Sequence, residues 1–344
     1  LFRSMRITAA LFATAVMAFN EPTVEDFYNH LMAQGLTFGS AAEYETRMQN
    51  FFNTDRIIQA YNAEIGSLST HAHNMFSTWS QEEINAYNTY VHEEPAADAA
   101  YHQPTANYGS SAPSSSGITY TINWVTEGAV TPVQNQGQCG SCWTFSTCES
   151  LSGANFIKTG KLIELSEQQI VSCSTNYFSN GAGGCNGGNM QTGYRYSGSN
   201  PIMSLADYPY NSGRTQQNGS CQYNKSEGLV GAKSYANVQK NNPSALKDAV
   251  QQQPVSISID ASSRYYNSYS SGILTNANSC GTSLDHAVII VGWGQQNGTE
   301  FFLVKNSWGS SWGENGYVRF QIISGNGMCG CQMAPLYPTQ TFMN

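Results

Sequence analysis

The sequence predicts an α+β fold in which a helical first half faces a strand-rich second half across a cleft. Three observations carry that expectation. Apolar residues recur at helical spacing early in the chain, and strand patterns take over from Pro254. A run rich in Ala, Ser, Pro and Gly, residues 93–117, separates the leading helical part from everything after it.

From Thr23 to about Val91, Tyr44, Met48, Phe51, Phe52, Ile57, Ile58 and Tyr61 recur at three- and four-residue steps, which reads as an amphipathic helix. The 93–117 run cannot bury enough apolar surface to fix its backbone, so it reads as a linker open to cleavage. A helix is expected from Trp143 to about Thr159, ended by Gly160 in a left-handed cap, and a second short one after Ser166, whose hydroxyl precedes Glu167 and Gln169 in a capping arrangement. Strands are expected at Val255–Ile259, His286–Gly292, Phe301–Asn306 and Tyr317–Ile322, with Asn297-Gly298 as a hairpin turn between two of them.

Composition narrows the function. The net charge is −8, and no block of Lys and Arg exists, which argues against nucleic acid as a partner. Residues 1–117 carry four Lys or Arg against twelve Asp or Glu, whereas residues 118–344 carry eleven of each. Histidine follows the acid: His30, His71, His73, His92 and His102 are early, and His286 alone serves the rest. Met5, Arg6 and the apolar run Ile7–Ala18, with small residues Val16 and Ala18 near its end, read as an export signal covering residues 1–18. The run is shorter than the ~20 residues a membrane-crossing helix needs, so no anchor is expected.

Nine cysteines, all between Cys139 and Cys331, in a chain with an export signal imply a disulfide framework plus one unpaired thiol. Asn218, Asn224 and Asn297 begin glycosylation triplets, as suits an exported protein.

Chemistry concentrates in QNQGQCGSCWTFS. It places Cys142 at the start of a helix, where free backbone N–H groups and the dipole favour a thiolate. His286 is the available cationic neighbour, Asn306 on the next strand can orient its ring, and Gln136 with the Cys142 backbone N–H can hold an oxyanion. Cys139 and Cys142 are also spaced as a zinc half-site or redox pair. Zinc lacks further ligands at suitable spacing, and a redox pair would want a βαβ setting.

Taken together, GAVTPVQNQGQCGSCWTFS, LSEQQIVSC, GCNGG, YPY, LDHAVIIVGWG and VKNSWGSSWGENGY resemble, in order, the papain-like cysteine peptidases of the cathepsin L type, over most of residues 118–344. The resemblance implies a papain-like two-lobed fold, with a helical left lobe and a barrel-like right lobe. It assigns the oxyanion glutamine to Gln136, the nucleophile to Cys142, the base to His286 and the orienting asparagine to Asn306, whose hydrogen bond Trp308 would shield. Implied disulfides are Cys139–Cys185, Cys173–Cys221 and Cys280–Cys329. That leaves Cys148 and Cys331, for which parity suggests a fourth bridge and burial suggests two free thiols.

Gly187 and Gly188 fall where the family pairs with substrate backbone, and Asp285 beside the base falls among its substrate-contacting residues. Met190, Ser258, Leu284, Ala287 and Ala334 fall on the main specificity pocket, S2. An apolar P2 residue is therefore expected, and the missing His-rich insertion between Gly188 and Cys221 favours an endopeptidase over carboxypeptidase-like relatives.

The leading segment resembles the family's inhibitory propeptide. Glu43, Arg47, Phe51, Ile58 and Asn62 match its spaced E-R-F-N-I-N pattern, with Thr54 in place of the first Asn. Its G-N-F-D motif reads Ala72, Asn74, Phe76 and Thr78, so the usual acid is missing. The expected organisation is a signal at 1–18, an inhibitory segment at 19–117 (helical 23–91, linker 93–117) and a peptidase domain at 118–344. Protein and peptide substrates, the chain's own pro-segment and cystatin-type inhibitors are the implied partners, for a monomer with no metal or organic cofactor. The expected destination is the secretory pathway: a lysosome, an acidic vacuole or the exterior. The early histidines suggest that acid loosens the pro-segment.

Overall fold

The structure is a computed structural model and describes residues 20–95, 99–103, 117–178 and 182–344. The expected export signal lies outside these residues, as do 96–98 and 104–116 of the expected linker. No helix among the described residues is long and apolar enough to cross a membrane.

The leading segment is three helices and a strand where one helical stretch is expected. Helix α1 (Val24–Gln34) begins in a capping box between Thr23 and Asp26 and stops at Gly35, whose φ of 62° suits glycine. Helix α2 (Ala41–Asn62), capped by the Ser40 hydroxyl, crosses α1 through Phe27, Leu31 and Phe51. A turn through Gly66 then leads into strand β1 (Leu68–His71). Helix α3 (Gln81–Tyr87) starts in a second capping box, Ser80 with Glu83.

The peptidase part opens with β2 (Ile118–Asn123) and then α4 (Cys142–Thr159), which ends at Gly160 in the expected left-handed cap. Helix α4 carries small residues on every side and is buried continuously from Cys142 to Asn155, so it can run through the middle of the molecule. Helix α5 (Glu167–Cys173) has the expected Ser166 cap, whose hydroxyl accepts from the Gln169 amide. Helices α6 (Met190–Ser199) and α7 (Ser212–Thr215) complete the helical side. Strand β3 (Val230–Asn237), α8 (Pro243–Gln252), β4 (Val255–Ile259), α9 (Arg264–Asn267) and β5 (Tyr269–Leu274) follow, and then β6 (His286–Gln296), β7 (Thr299–Lys305), β8 (Tyr317–Gln321) and β9 (Leu336–Met343).

The strands hydrogen-bond in the order β1-β5-β8-β7-β6-β4-β9-β3, with β2 beside β6. The path is open rather than closed into a full barrel, and the pro-segment's own β1 covers its β5 edge. Asn297 and Gly298 take φ of 51° and 83°, the two positive values that a tight β6–β7 hairpin requires.

Two apolar cores flank the cleft. One gathers Trp308, Trp312, Tyr265, Tyr266 and the sheet, and the other Trp143, Leu151, Ile170 and Met190. The three implied disulfides are present. The fourth is not: Cys148 and Cys331 are free and buried. They sit in different cores, Cys148 on α4 and Cys331 against Gly327, whereas a bridge needs facing side chains with Cα atoms within roughly 7 Å.

The linker expectation also needs correction at residues 99–103, which dock on the peptidase. Asn237 donates its amide to the Ala100 carbonyl at 2.8 Å, and the His102 amide donates to the Asn237 carbonyl at 2.7 Å. The His102 ring is buried between the Tyr337 hydroxyl, 2.8 Å away, and the Asp248 carboxylate at 2.9 Å. The His102 ring supplies the buried side chain that composition alone discounts.

Candidate active site

Cys142 opens α4 at the cleft floor, and His286 opens β6 on the facing wall. Strand pairing sets the second position, since β6 lies between β4 and β7 with His286 opposite Ile259. The amide of Ala287 donates to the Cys142 sulfur at 3.4 Å, which brings the thiol beside the histidine. On the imidazole, Nε2 lies 2.9 Å from the Asn306 Oδ1, while Nδ1 is buried without a hydrogen-bond partner. With Nε2 occupied by Asn306, Nδ1 is the nitrogen left to exchange a proton with sulfur.

Asn306 is itself held. Its Nδ2 donates to the Tyr266 hydroxyl at 3.1 Å and its Oδ1 also accepts from the Ser307 amide at 2.8 Å. Trp308, itself fully buried, stacks on the His286 ring at 4.7 Å and 27°. Gln136 is fully buried: its Oε1 accepts from the Ser307 hydroxyl at 2.8 Å and its Nε2 donates to the Cys139 carbonyl at 3.1 Å. An amide nitrogen carries two hydrogens, so one remains for an oxyanion. Cys139 is bonded to Cys185, which removes it from any zinc or redox pairing with Cys142.

The pro-segment fills the cleft. A β-carbon at Gly187 would lie 1.8 Å from the Thr89 carbonyl oxygen, and one at Gly140 would lie 2.0 Å from the Thr89 hydroxyl, so both glycines let this chain pass over the sulfur. Tyr90 donates its amide to the Asp285 carbonyl at 2.8 Å, and Val91 donates to the Gly188 carbonyl at 2.9 Å. The Tyr90 ring packs in one apolar cluster with Cys142, Met190, Ala287 and Leu284. Ser258 is buried at the far end, and neither its hydroxyl nor that of Tyr90 has a partner in good hydrogen-bonding geometry. Four of the five expected S2 residues thus surround one aromatic side chain. Ala334 stands apart, lining a recess with His92, Glu93 and Tyr101.

Covering the site changes its electrostatics. Burial pushes the Cys142 thiol up to about 12, opposed by the Ala287 amide, and burial takes His286 down to about 4, opposed by Asn306. Both shifts favour the neutral pair while the pro-segment covers the site. Asp285 is raised to about 7 by burial and by Asp260 nearby, although its carboxylate accepts from the Ala261 amide at 2.7 Å.

Sequence reasoning missed Ser307 and Tyr266, which fix Gln136 and Asn306. Ser307 sits inside the quoted VKNSWGSSWGENGY run, whereas nothing near Tyr266 signals its role. The buried pair Lys305–Glu149, with the Lys305 ammonium 2.8 Å from the Thr131 carbonyl, was also missed. It ties α4 to β7 just before Asn306.

Of the glycosylation candidates, Asn224 and Asn297 are exposed. The Asn218 side chain is half-buried and accepts from the Cys185 amide at 2.7 Å, so it serves the fold as it stands.

A two-lobed α+β cleft with a cysteine at a helix start, a histidine held by an asparagine, and a leading segment laid across both defines a cysteine protease precursor. Residues 118–339 match the model of the papain family cysteine proteases, and the chain belongs to that family. It is 35% identical to digestive cysteine proteinase 1 of Homarus americanus over 97% of this chain and 100% of that one. It is 45% identical to thiol protease SEN102 of Hemerocallis sp. over 65% of this chain, spanning 61% of that relative's length. Among solved structures, digestive procathepsin L 3 of Tenebrio molitor larval midgut superposes with a TM-score of 0.76 at 33% identity, covering 91% of this chain and 98% of that one. A recombinant stem bromelain precursor gives 0.75 at 32%, covering 92% and 98%.

Proposed function

We propose that the chain is the precursor of a cysteine endopeptidase that hydrolyses peptide bonds through a thioester on Cys142. The observation carrying this reading is the His286 ring, held at Nε2 by Asn306 with Nδ1 free beside the sulfur. In the uncovered enzyme, Nδ1 takes the Cys142 proton and the thiolate attacks the substrate carbonyl. The oxyanion is held by the Cys142 amide and the Gln136 side chain. The imidazolium passes its proton to the departing amine, and water, deprotonated by the same ring, then cleaves the thioester to release the acid and restore the thiol. This chain's residues supply the nucleophile, the acid and base, and the oxyanion donors, and the sequence of steps calls on no cofactor.

Latency follows from chain direction. In a productive complex the S2 residue precedes the one over the sulfur, whereas here Tyr90 follows Thr89. The pro-segment therefore occupies the cleft reversed relative to a substrate. Release requires cutting near residues 110–117, and the start of β2 at Ile118 supports a peptidase domain beginning there. The Tyr90 ring among Met190, Leu284 and Ala287 supports a preference for aromatic and aliphatic P2 residues; a P2 profile dominated by Arg would overturn it. Three disulfides and exposed Asn224 and Asn297 suit the secretory route, ending in an acidic compartment or outside the cell.

The test incubates the precursor at mildly acid pH with a reductant, beside the Cys142→Ala variant. Loss of the pro-segment mass and peptide turnover are expected in the parent alone. Equal turnover in both would end the assignment.

A further inference from the structure

Beyond S2, the rim of the cleft carries a set of hydrogen-bond donors already holding a carboxylate. Glu93, three residues past Tyr90, lies against the first turns of α6. Its Oε1 is 2.9 Å from Nη1 of Arg195 and its Oε2 is 3.1 Å from Nη2, a two-pronged contact, while the Asn189 side-chain amide donates to Oε2 at 3.1 Å. The Gln191 side-chain amide donates to the Glu93 backbone carbonyl at 3.2 Å.

All these donors belong to the peptidase, so they remain when the pro-segment leaves. They are also held in place. Asn189 caps α6 by accepting from the Thr192 amide at 2.9 Å, and Nη2 of Arg195 donates to the Thr192 hydroxyl at 2.8 Å. Asn189 and Gln191 lie in the first turn of a ten-residue helix, where the dipole favours an anion. The planar guanidinium matches a carboxylate in geometry as well as charge.

We infer that Asn189, Gln191 and Arg195 form an acidic-residue subsite on the non-primed rim, which selects substrates carrying Asp or Glu two or three residues before P2. The position follows from reach. Three extended residues span about 10 Å, and a substrate running opposite to the pro-segment covers that distance from S2 with its P4 or P5 side chain. The inference rests on the proposed S2 and on the cleft direction it sets. The ligand class comes from the occupant: a carboxylate on a flexible arm, next to an extended backbone that offers its carbonyl to Gln191.

The test uses the mature enzyme and a peptide series with fixed P2 to P1′ residues and Ala, Gln or Glu at P4 or P5. Glu is expected to raise kcat/KM about three- to tenfold over Gln at one of the two positions, through KM, with the gain fading at high salt. Arg195→Gln should abolish the difference while leaving the Ala peptide unaffected. Equal kcat/KM for Glu and Gln at both positions, or a Glu preference that survives Arg195→Gln, would overturn the subsite. Failure to turn over even the Ala peptide would strike the catalytic reading instead. The subsite is then read from binding alone, by fluorescence polarisation of the same Glu and Gln peptides on Cys142→Ala enzyme. That enzyme is cut in trans by an added endopeptidase and freed of its pro-segment. Tighter binding of Glu sustains the inference and equal binding ends it.

Discussion

The pro-segment grips the peptidase in two places of opposite character. Upstream, the hold is apolar and aromatic: β1 pairs with β5, Phe76 meets Trp308 edge-on at 4.6 Å, and the Asn74 side chain donates to the Asn267 carbonyl at 2.7 Å. Downstream, residues 92–95 and 99–103 hold through polar contacts, with Glu93 paired with Arg195 and the His102 ring against Asp248. The difference shows in the histidines. His30 and His71 are buried upstream, and His30 Nε2 has no partner at all. His73, His92 and His102 each face a carboxylate, at 2.9 Å from Asp55, 3.1 Å from Glu94 and 2.9 Å from Asp248. Burial shifts His30 and His71, and the response to acid that the early histidines suggest is placed on those two rings.

The largest effect separates covered from uncovered sulfur. With the Cys142 thiol pushed up to about 12 by burial under Thr89 and Tyr90, almost no thiolate exists at pH 7 in the precursor. Reactive cysteines beside an imidazolium at a helix start fall well below the free thiol's ~8.5. Alkylation of Cys142 by iodoacetamide at pH 7 should therefore be about a thousandfold or more slower in the precursor than after trimming. Equal rates, measured by mass spectrometry on the Cys142 peptide, would show that the cover does not set the reactivity.

The next effect sharpens the upstream hold. Burial takes His30 and His71 down to about 4, with His73 adding to the effect on His30, while an unfolded histidine titrates near ~6.5. The bound state keeps both rings neutral. Their contribution is therefore whole above about pH 6.5 and is lost as pH falls toward 4. After allowance for residual solvent, each ring is worth about 1–2 kcal/mol over that window. The His71 ring packs against Tyr61 and Tyr265, with Nδ1 at 3.1 Å from Ser268 Oγ and Nε2 at 3.2 Å from Ser69 Oγ. His71→Gln keeps polar contacts without a titrating ring and should flatten the acid-induced rise in processing rate. A rise of unchanged slope in that variant would remove His71 from the trigger and leave His30.

The same contrast explains what was legible in the sequence. Gln136, Cys142, His286 and Asn306 could be named as candidates because their motifs are local and the proposed chemistry needs fixed residue types; His286 is held by Asn306, the adjoining Ala287 amide meets the Cys142 sulfur, and Gln136 is held by Ser307. The hairpin turn and the Gly160 cap were equally local, each demanding a positive φ. Parity misled on Cys148 and Cys331, because counting thiols carries no information on which core each one enters. Composition misled on residues 99–103, where the backbone bridges to Asn237 of β3 and the His102 side chain is buried between Asp248 of α8 and Tyr337 of β9. Long-range partners such as Tyr266 on Asn306 lie 40 residues apart and leave no periodic trace.

The smallest effect lies inside the proposed S2, where the hydroxyls of Tyr90 and Ser258 are both buried. Burial takes the Tyr90 phenol up to about 12, opposed by the Ser258 hydroxyl. Both oxygens are buried, and each lacks a partner in the bound pro-segment. A forward-running substrate enters with a different backbone position, and its P2 tyrosine can then complete the bond that Tyr90 leaves open. A phenylalanine there would bury the Ser258 hydroxyl unpaired. One neutral hydrogen bond contributes about 0.5–1.5 kcal/mol, so mature enzyme should prefer Tyr over Phe at P2 by about two- to tenfold in kcat/KM. Ser258→Ala removes both the bond and the penalty, and should bring the ratio to unity while leaving Phe peptides within about twofold of the parent. A ratio that Ser258→Ala does not change would mean that ring shape alone, set by Met190, Leu284 and Ala287, decides what the pocket accepts.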